Sequence, residues 1–180
     1  MAAEHSYTSR AELDQYAFHP AITIFVPLVC LILQALLPHI FSRLAILDLP
    51  LIAAIFFSFA RRSPIKGTVT GTLIGLFQDG ISGNHFGVFG IAKAVVGYIA
   101  ASIGFAVDMD NMINRGVLTF ALSLLQSSIL YLIMHGLLGD TTWHLLPLRV
   151  FPLHELLRAV FNTLVAIPLY FLLDTFRIRD

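Results

Sequence analysis

The chain has 180 residues, 57% of them apolar and only 12% charged, with a mean hydropathy of +0.82. A water-soluble domain carries about 25% charged residues, so this balance excludes a soluble enzyme domain, a disordered chain and a nucleic-acid binder with a basic face. Eleven Lys and Arg offset eleven Asp and Glu, and the single cysteine, Cys30, excludes a disulfide framework and a Cys-based zinc site.

What remains is an integral membrane protein. A helix crosses the hydrocarbon layer with about 20 apolar residues, in a range of about 17–25. Six stretches come near that length. The first, 21–37, is bracketed by Pro20 and Pro38. The second, 44–60, is stopped by Arg61 and Arg62, and Asp48 and Pro50 blur its start. The third, 67–81, is short. The fourth, 88–107, ends at Asp108 and Asp110; the fifth covers 116–138; the sixth, 156–173, ends at Asp174. The expectation is an all-α polytopic six-helix bundle over 21–174, with tails at 1–20 and 175–180. Helices are favoured over a barrel because 122–125 and 129–133 are apolar at successive positions, where a barrel strand alternates. The first stretch reads as a retained anchor. It starts after a tail holding Glu4, Glu12 and Asp14, and no small-residue cleavage site follows it.

In the tail, Ser9 and Glu12 form a capping-box pattern, which leaves a short interfacial helix and a frayed tail both open. The connection 139–155 carries Trp143, Pro147, Phe151 and Pro152, which suits the headgroup layer. Orientation follows the Lys and Arg of the short loops. With both termini cytoplasmic, the inner side holds seven: Arg10, Arg61, Arg62, Lys66, Arg115, Arg177 and Arg179. The outer side holds four: Arg43, Lys93, Arg149 and Arg158. The expected topology is therefore N-in, C-in.

Two rows of small residues stand out. Gly67, Gly71 and Gly75 recur every four positions; Gly90, Gly97 and Gly104 recur every seven, with Ala94 and Ala101 between them. Such rows let backbones approach closely, either each other or one shared helix, in this chain or another. Between them runs a glycine-rich hairpin with Asp79, Gly80, Gly83, His85 and Gly87. A carboxylate buried there needs a partner, and Lys93 or His85 is the nearest candidate. A cap and charge pair fixing the hairpin is the favoured reading over a proton, ion or ligand site.

The fifth stretch has Thr119, Ser123, Gln126, Ser127 and Tyr131 on one side, a pattern that bonds across helices. In the sixth, Glu155, Arg158, Asn162 and Ala166 share a face; Glu155 pairs with Arg158, Asn162 needs a partner, and Pro168 is placed to kink the helix. No zincin motif forms, because Arg158 stands where a second His is required, and His135, His144 and His154 are scattered. No metal or cofactor is expected.

The run Gly71, Gly75, Asp79 and Gly80, then Gly87 and Gly90, then a small-residue helix with Tyr98, resembles the rod shape-determining protein MreD family. The last stretch, with Glu155, Arg158, Asn162, Pro168 and Tyr170, is similar to that family's last span. The sharp part of the resemblance is confined to 67–104 and 155–170, and the polar tail departs from it by its length. The resemblance implies a non-enzymatic inner-membrane component of the bacterial cell-elongation machinery. It would support lateral peptidoglycan synthesis beside MreC, MreB and the RodA–penicillin-binding-protein pair. It also implies a six-span fold similar to the S-component of energy-coupling-factor vitamin transporters.

Three classes compete. An interaction protein expects glycine faces and few buried charges, with association onto the span of MreC or a second copy. A transporter substrate-binding subunit expects an Ala-x-x-x-Ala row on the first span; only Ala17 and Ala21 fit, with Pro20 between them. An intramembrane enzyme expects a Ser–His, paired Asp or His–Glu set within a span, and none is seen in the sequence.

Overall fold

The computed structural model describes residues 18–40, 46–83, 85–107, 111–139 and 151–176. The capping-box residues Ser9 and Glu12, the loop residues Trp143 and Pro147, and the stop charges Asp108 and Asp110 lie outside them.

The described residues form six helices. They are α1 (Pro20–Ile40), α2 (Leu49–Arg61), α3 (Pro64–Ser82), α4 (Val88–Ile103), α5 (Met112–Tyr131) and α6 (Phe151–Asp174). A π-helical turn, Leu132–Leu137, continues α5. The described residues are all-helical in class, as the pattern predicts, and α6 runs on through Pro168.

Among the described residues three helices are long and apolar enough to cross a membrane: Pro20–Leu37, Met112–Leu137 and Leu153–Asp174. The other three depart from the six-span expectation for different reasons. Helix α2 starts at Leu49, not at 44, because Asp48 caps it: Asp48 Oδ1 accepts the Leu51 N–H at 3.0 Å, with Pro50 in the first turn. Its 13 residues reach about 20 Å, against about 30 Å of hydrocarbon. Helix α3 has 19 residues but includes Lys66, three threonines, Gln78 and Asp79. Helix α4 has 16 and stops at Ile103, ahead of the turn at Gly104.

Helix α2 is the axis of the bundle. Every residue from Leu49 to Ala60 is buried. Phe18, Phe56 and Phe57 meet edge to face with centroids 5.4–5.7 Å apart, and Phe56 packs on Tyr170 at 5.2 Å. The outward faces are the reverse. Ile24 and Phe25 on α1, Ile113 and Val117 on α5, and Leu164 and Phe171 on α6 are exposed. A continuous apolar exterior on helices of this length fits a lipid bilayer, not water.

The start of α1 and the end of α6 lie together, since Ala21 and Ile22 share a groove with Leu172 and Phe176. The α2–α3 turn belongs to that same end, because Thr23 and Ile24 line a second groove with Arg61 and Lys66.

Candidate functional site

The two glycine rows face each other. A methyl group built on Gly67 would run into the backbone of Gly97, and one on Gly71 would run into the Lys93 carbonyl. One on Gly75 would strike the backbone of Phe89 and Gly90, and one on Gly104 would meet the Phe59 carbonyl. Helices α3 and α4 therefore pack backbone on backbone, with α2 closing the far end. These six glycines were candidates both for helix packing and for partner binding. The structure places them in an internal seam, so their face is already covered by this chain.

Asp79 lies at the end of that seam. Its Oδ2 accepts the N–H groups of Gly87 at 2.9 Å and Gly90 at 3.1 Å, and its Oδ1 accepts that of Phe89 at 3.1 Å. Three donors left over at the start of α4 are thus satisfied by one carboxylate from the preceding helix, where the dipole also favours negative charge. The expected partners were Lys93 or His85. Neither bonds to Asp79: His85 is exposed on the hairpin, and Lys93 turns the other way. A carboxylate between glycine turns has backbone N–H groups in easy reach, and these win over a side chain that must cross the helix.

Lys93 enters a polar cluster at the centre of the bundle. Its Nζ donates to Asp48 Oδ2 at 2.9 Å and to Gln126 Oε1 at 3.1 Å. Gln126 Nε2 donates to the same Asp48 oxygen at 2.6 Å. Arg158 stands 3.7 Å from Asp48 and 3.7 Å from Glu155, so the expected Glu155–Arg158 pair is present. Ser127 donates to Glu155, and His154 Nδ1 lies 3.2 Å from the other Glu155 oxygen. Lys93 is fully buried and Asp48 is 1% exposed. Two cations, Lys93 and Arg158, face two anions, Asp48 and Glu155, so the cluster is formally neutral before His154 is counted.

The depth of the cluster is set by the helices that hold it. Asn162 is 11 residues from Phe151 and 12 from Asp174, about 17 Å from either end of α6. Asn162 Oδ1 accepts the backbone N–H of Asp48 at 3.0 Å, and its Nδ2 donates to Ser123 at 2.9 Å. Residues 47–48 therefore bring non-helical backbone to mid-depth. Such backbone survives there only if buried in protein with its polar groups paired. Gln34 of α1 completes the pairing: its Nε2 donates to the Leu47 carbonyl at 2.8 Å, and its Oε1 accepts the Leu49 N–H at 3.0 Å.

Of the buried polar residues singled out by sequence, Lys93, Glu155, Arg158 and Asn162 converge on this centre, while Asp79 and His85 do not. The α5 stripe bonds across helices as expected. Thr119 meets the Tyr170 hydroxyl at 2.8 Å, Ser123 meets Asn162, and Gln126 meets Asp48 and Lys93. Tyr131 instead stacks on His135, with centroids 5.1 Å apart.

Three residues were missed. Asp48 was noted only as blurring a helix start, yet it is the hub; Asp-Leu-Pro at a helix start is an N-cap signature that could have fixed it. Gln34 is a lone amide in an apolar helix, which marks a required partner. The sequence pattern puts Arg115 in a loop, but it is buried and pairs with Asp174 at the far end of α6.

Chemically, the arrangement ties together α1, the α2 cap, α4, α5 and α6. Among the described residues no three His, Cys, Asp or Glu side chains converge as metal ligands. Comparison with protein-family models, with curated proteins and with solved structures found no match.

Proposed function

We propose that the chain is a non-enzymatic membrane component of the bacterial cell-elongation complex, in the manner of the MreD family it resembles. It acts by association, binding MreC and through it MreB and the RodA–penicillin-binding-protein pair. The observation that carries this reading is the division of its surfaces. Polar and small side chains of the helices are spent on one another inside, while the long helices α1, α5 and α6 turn apolar faces outward. A protein so arranged offers contact surface to other membrane helices.

In this reading the end bearing Arg61, Arg62, Lys66 and Arg115 is cytoplasmic, which agrees with the positive-inside rule and gives an N-in, C-in chain. The short helices α2 and α4 count as passes that reach the surface through their turns. The inner membrane of a rod-shaped bacterium is the expected location.

The test is site-directed photo-cross-linking in membranes from outward positions: Phe25 on α1, Val117 on α5 and Phe171 on α6. Capture of MreC from one of these faces, and conversion of rods to spheres on loss of the chain, is expected. No MreC adduct from any face, with rod shape kept in the deletion strain, overturns the proposal. The vitamin-transporter alternative predicts instead a vitamin-dependent rise in melting temperature.

A further inference from the structure

We propose that the groove between α1 and α3 is a binding site for one anionic phospholipid, a role independent of the association just described. The groove has a volume of about 430 Å³. Its walls are apolar: Ile24 and Leu28 from α1 face Val69, Leu73 and Phe77 from α3. Its mouth is not. Arg61 and Lys66 stand there, and among the described residues no acidic one lines it.

The chain sets this mouth firmly. Arg61 is the last residue of α2, and Lys66 is the third of α3. Only Arg62 and Ser63 lie between the helices, with Arg62 in the left-handed region at φ 47°. That tight turn keeps both cations at the α2–α3 end of the groove. Arg61 Nη1 also donates to Thr70 Oγ1 at 3.4 Å, which keeps the guanidinium on the groove wall.

Length argues for a lipid over a helix. From Ile65 to Phe77, the apolar row at every fourth position covers 12 residues, about 18 Å of helix rise. One leaflet of hydrocarbon is about 15 Å deep. A chain of that length fits the walls while its phosphate meets the two cations. A partner helix that is apolar along its length would leave those cations without an anion. Charge complementarity therefore selects an anionic headgroup over a zwitterionic one.

The experiment uses full-length protein, delipidated in neutral detergent and titrated with phosphatidylglycerol or phosphatidylcholine, with bound lipid counted by native mass spectrometry. Wild type is expected to prefer phosphatidylglycerol. The double variant Arg61→Gln/Lys66→Gln is expected to bind it about 30-fold more weakly, the loss of two cations near a membrane surface. Leu73→Trp fills the groove, keeps the cations and is expected to displace the lipid as well. Should the double variant not fold, the exposed Lys66→Gln alone carries the test, with about a 5-fold loss expected. Equal affinity for both lipids, or unchanged phosphatidylglycerol binding in the charge variants, overturns the proposal. So does a Leu73→Trp protein that sheds a co-purifying membrane protein while retaining phosphatidylglycerol.

Discussion

Helix α4 takes part in two seams built in opposite ways. Against α3 it presents Gly90 and Gly97, and the contact is backbone on backbone, made possible by removing side chains. Toward α5 and the α2 cap it presents Lys93, and the contact is a charge held by Asp48 and Gln126. The first seam gains by close packing and tolerates no added volume. The second gains by pairing and tolerates no missing partner. Lipid tails are as apolar as Leu, so neither seam forms by apolar burial alone, and each needs a specific device.

This contrast is sharpest under substitution. Gly71→Leu places a branched side chain where even a methyl meets the Lys93 carbonyl. It is expected to prevent α3 and α4 from docking, read as loss of monodisperse protein in detergent. A folded Gly71→Leu protein would break the account of the first seam. In the second seam, Asn162→Leu removes the acceptor of the buried Asp48 N–H and the partner of Ser123. The expected cost is about 1–3 kcal/mol, measured by denaturant unfolding in mixed micelles. Asp79→Asn keeps the shape but leaves one acceptor oxygen for three donors, and about 1 kcal/mol of stability should be lost. Tyr170→Phe deletes only the bond to Thr119, worth about 0.6 kcal/mol on average between membrane helices. A larger loss there would show that the Thr119–Tyr170 pair is more than a local contact.

The two seams also differ in how far sequence reveals them. The glycine rows are regular in a short stretch, and adjacent helices joined by a hairpin are bound to meet, so packing of α3 on α4 was legible. The polar centre is legible in part: Lys93, Gln126, Glu155, Arg158 and Asn162 stand out, and so does the Glu155–Arg158 pair, but the hub Asp48, Gln34 and the remaining pairings do not. Lys93 and Asp48 are 45 residues apart and belong to non-adjacent helices, and no periodicity links a helix cap to a side chain across a bundle. Asp79 lay closer in sequence to Lys93 and was the natural guess, yet the nearby backbone donors claim it. The count of helices was legible as well. The short span of α2 was not, because an inner helix sheltered by protein reads as greasy as one that meets lipid.

The central claim is that the mid-depth charges hold the α2 cap in place and serve structure. The measurement is a double-mutant cycle on Asp48 and Lys93, by unfolding of the full-length protein in mixed micelles. Lys93→Met leaves the buried Asp48 carboxylate with Gln126 and, at 3.7 Å, Arg158, and should cost about 3 kcal/mol; Asp48→Asn strands the Lys93 ammonium and should cost about 3–5 kcal/mol. The double variant Asp48→Asn/Lys93→Met should be more stable than the sum of the two losses allows. A Lys93→Met protein as stable as wild type, with losses that simply add, would contradict the account.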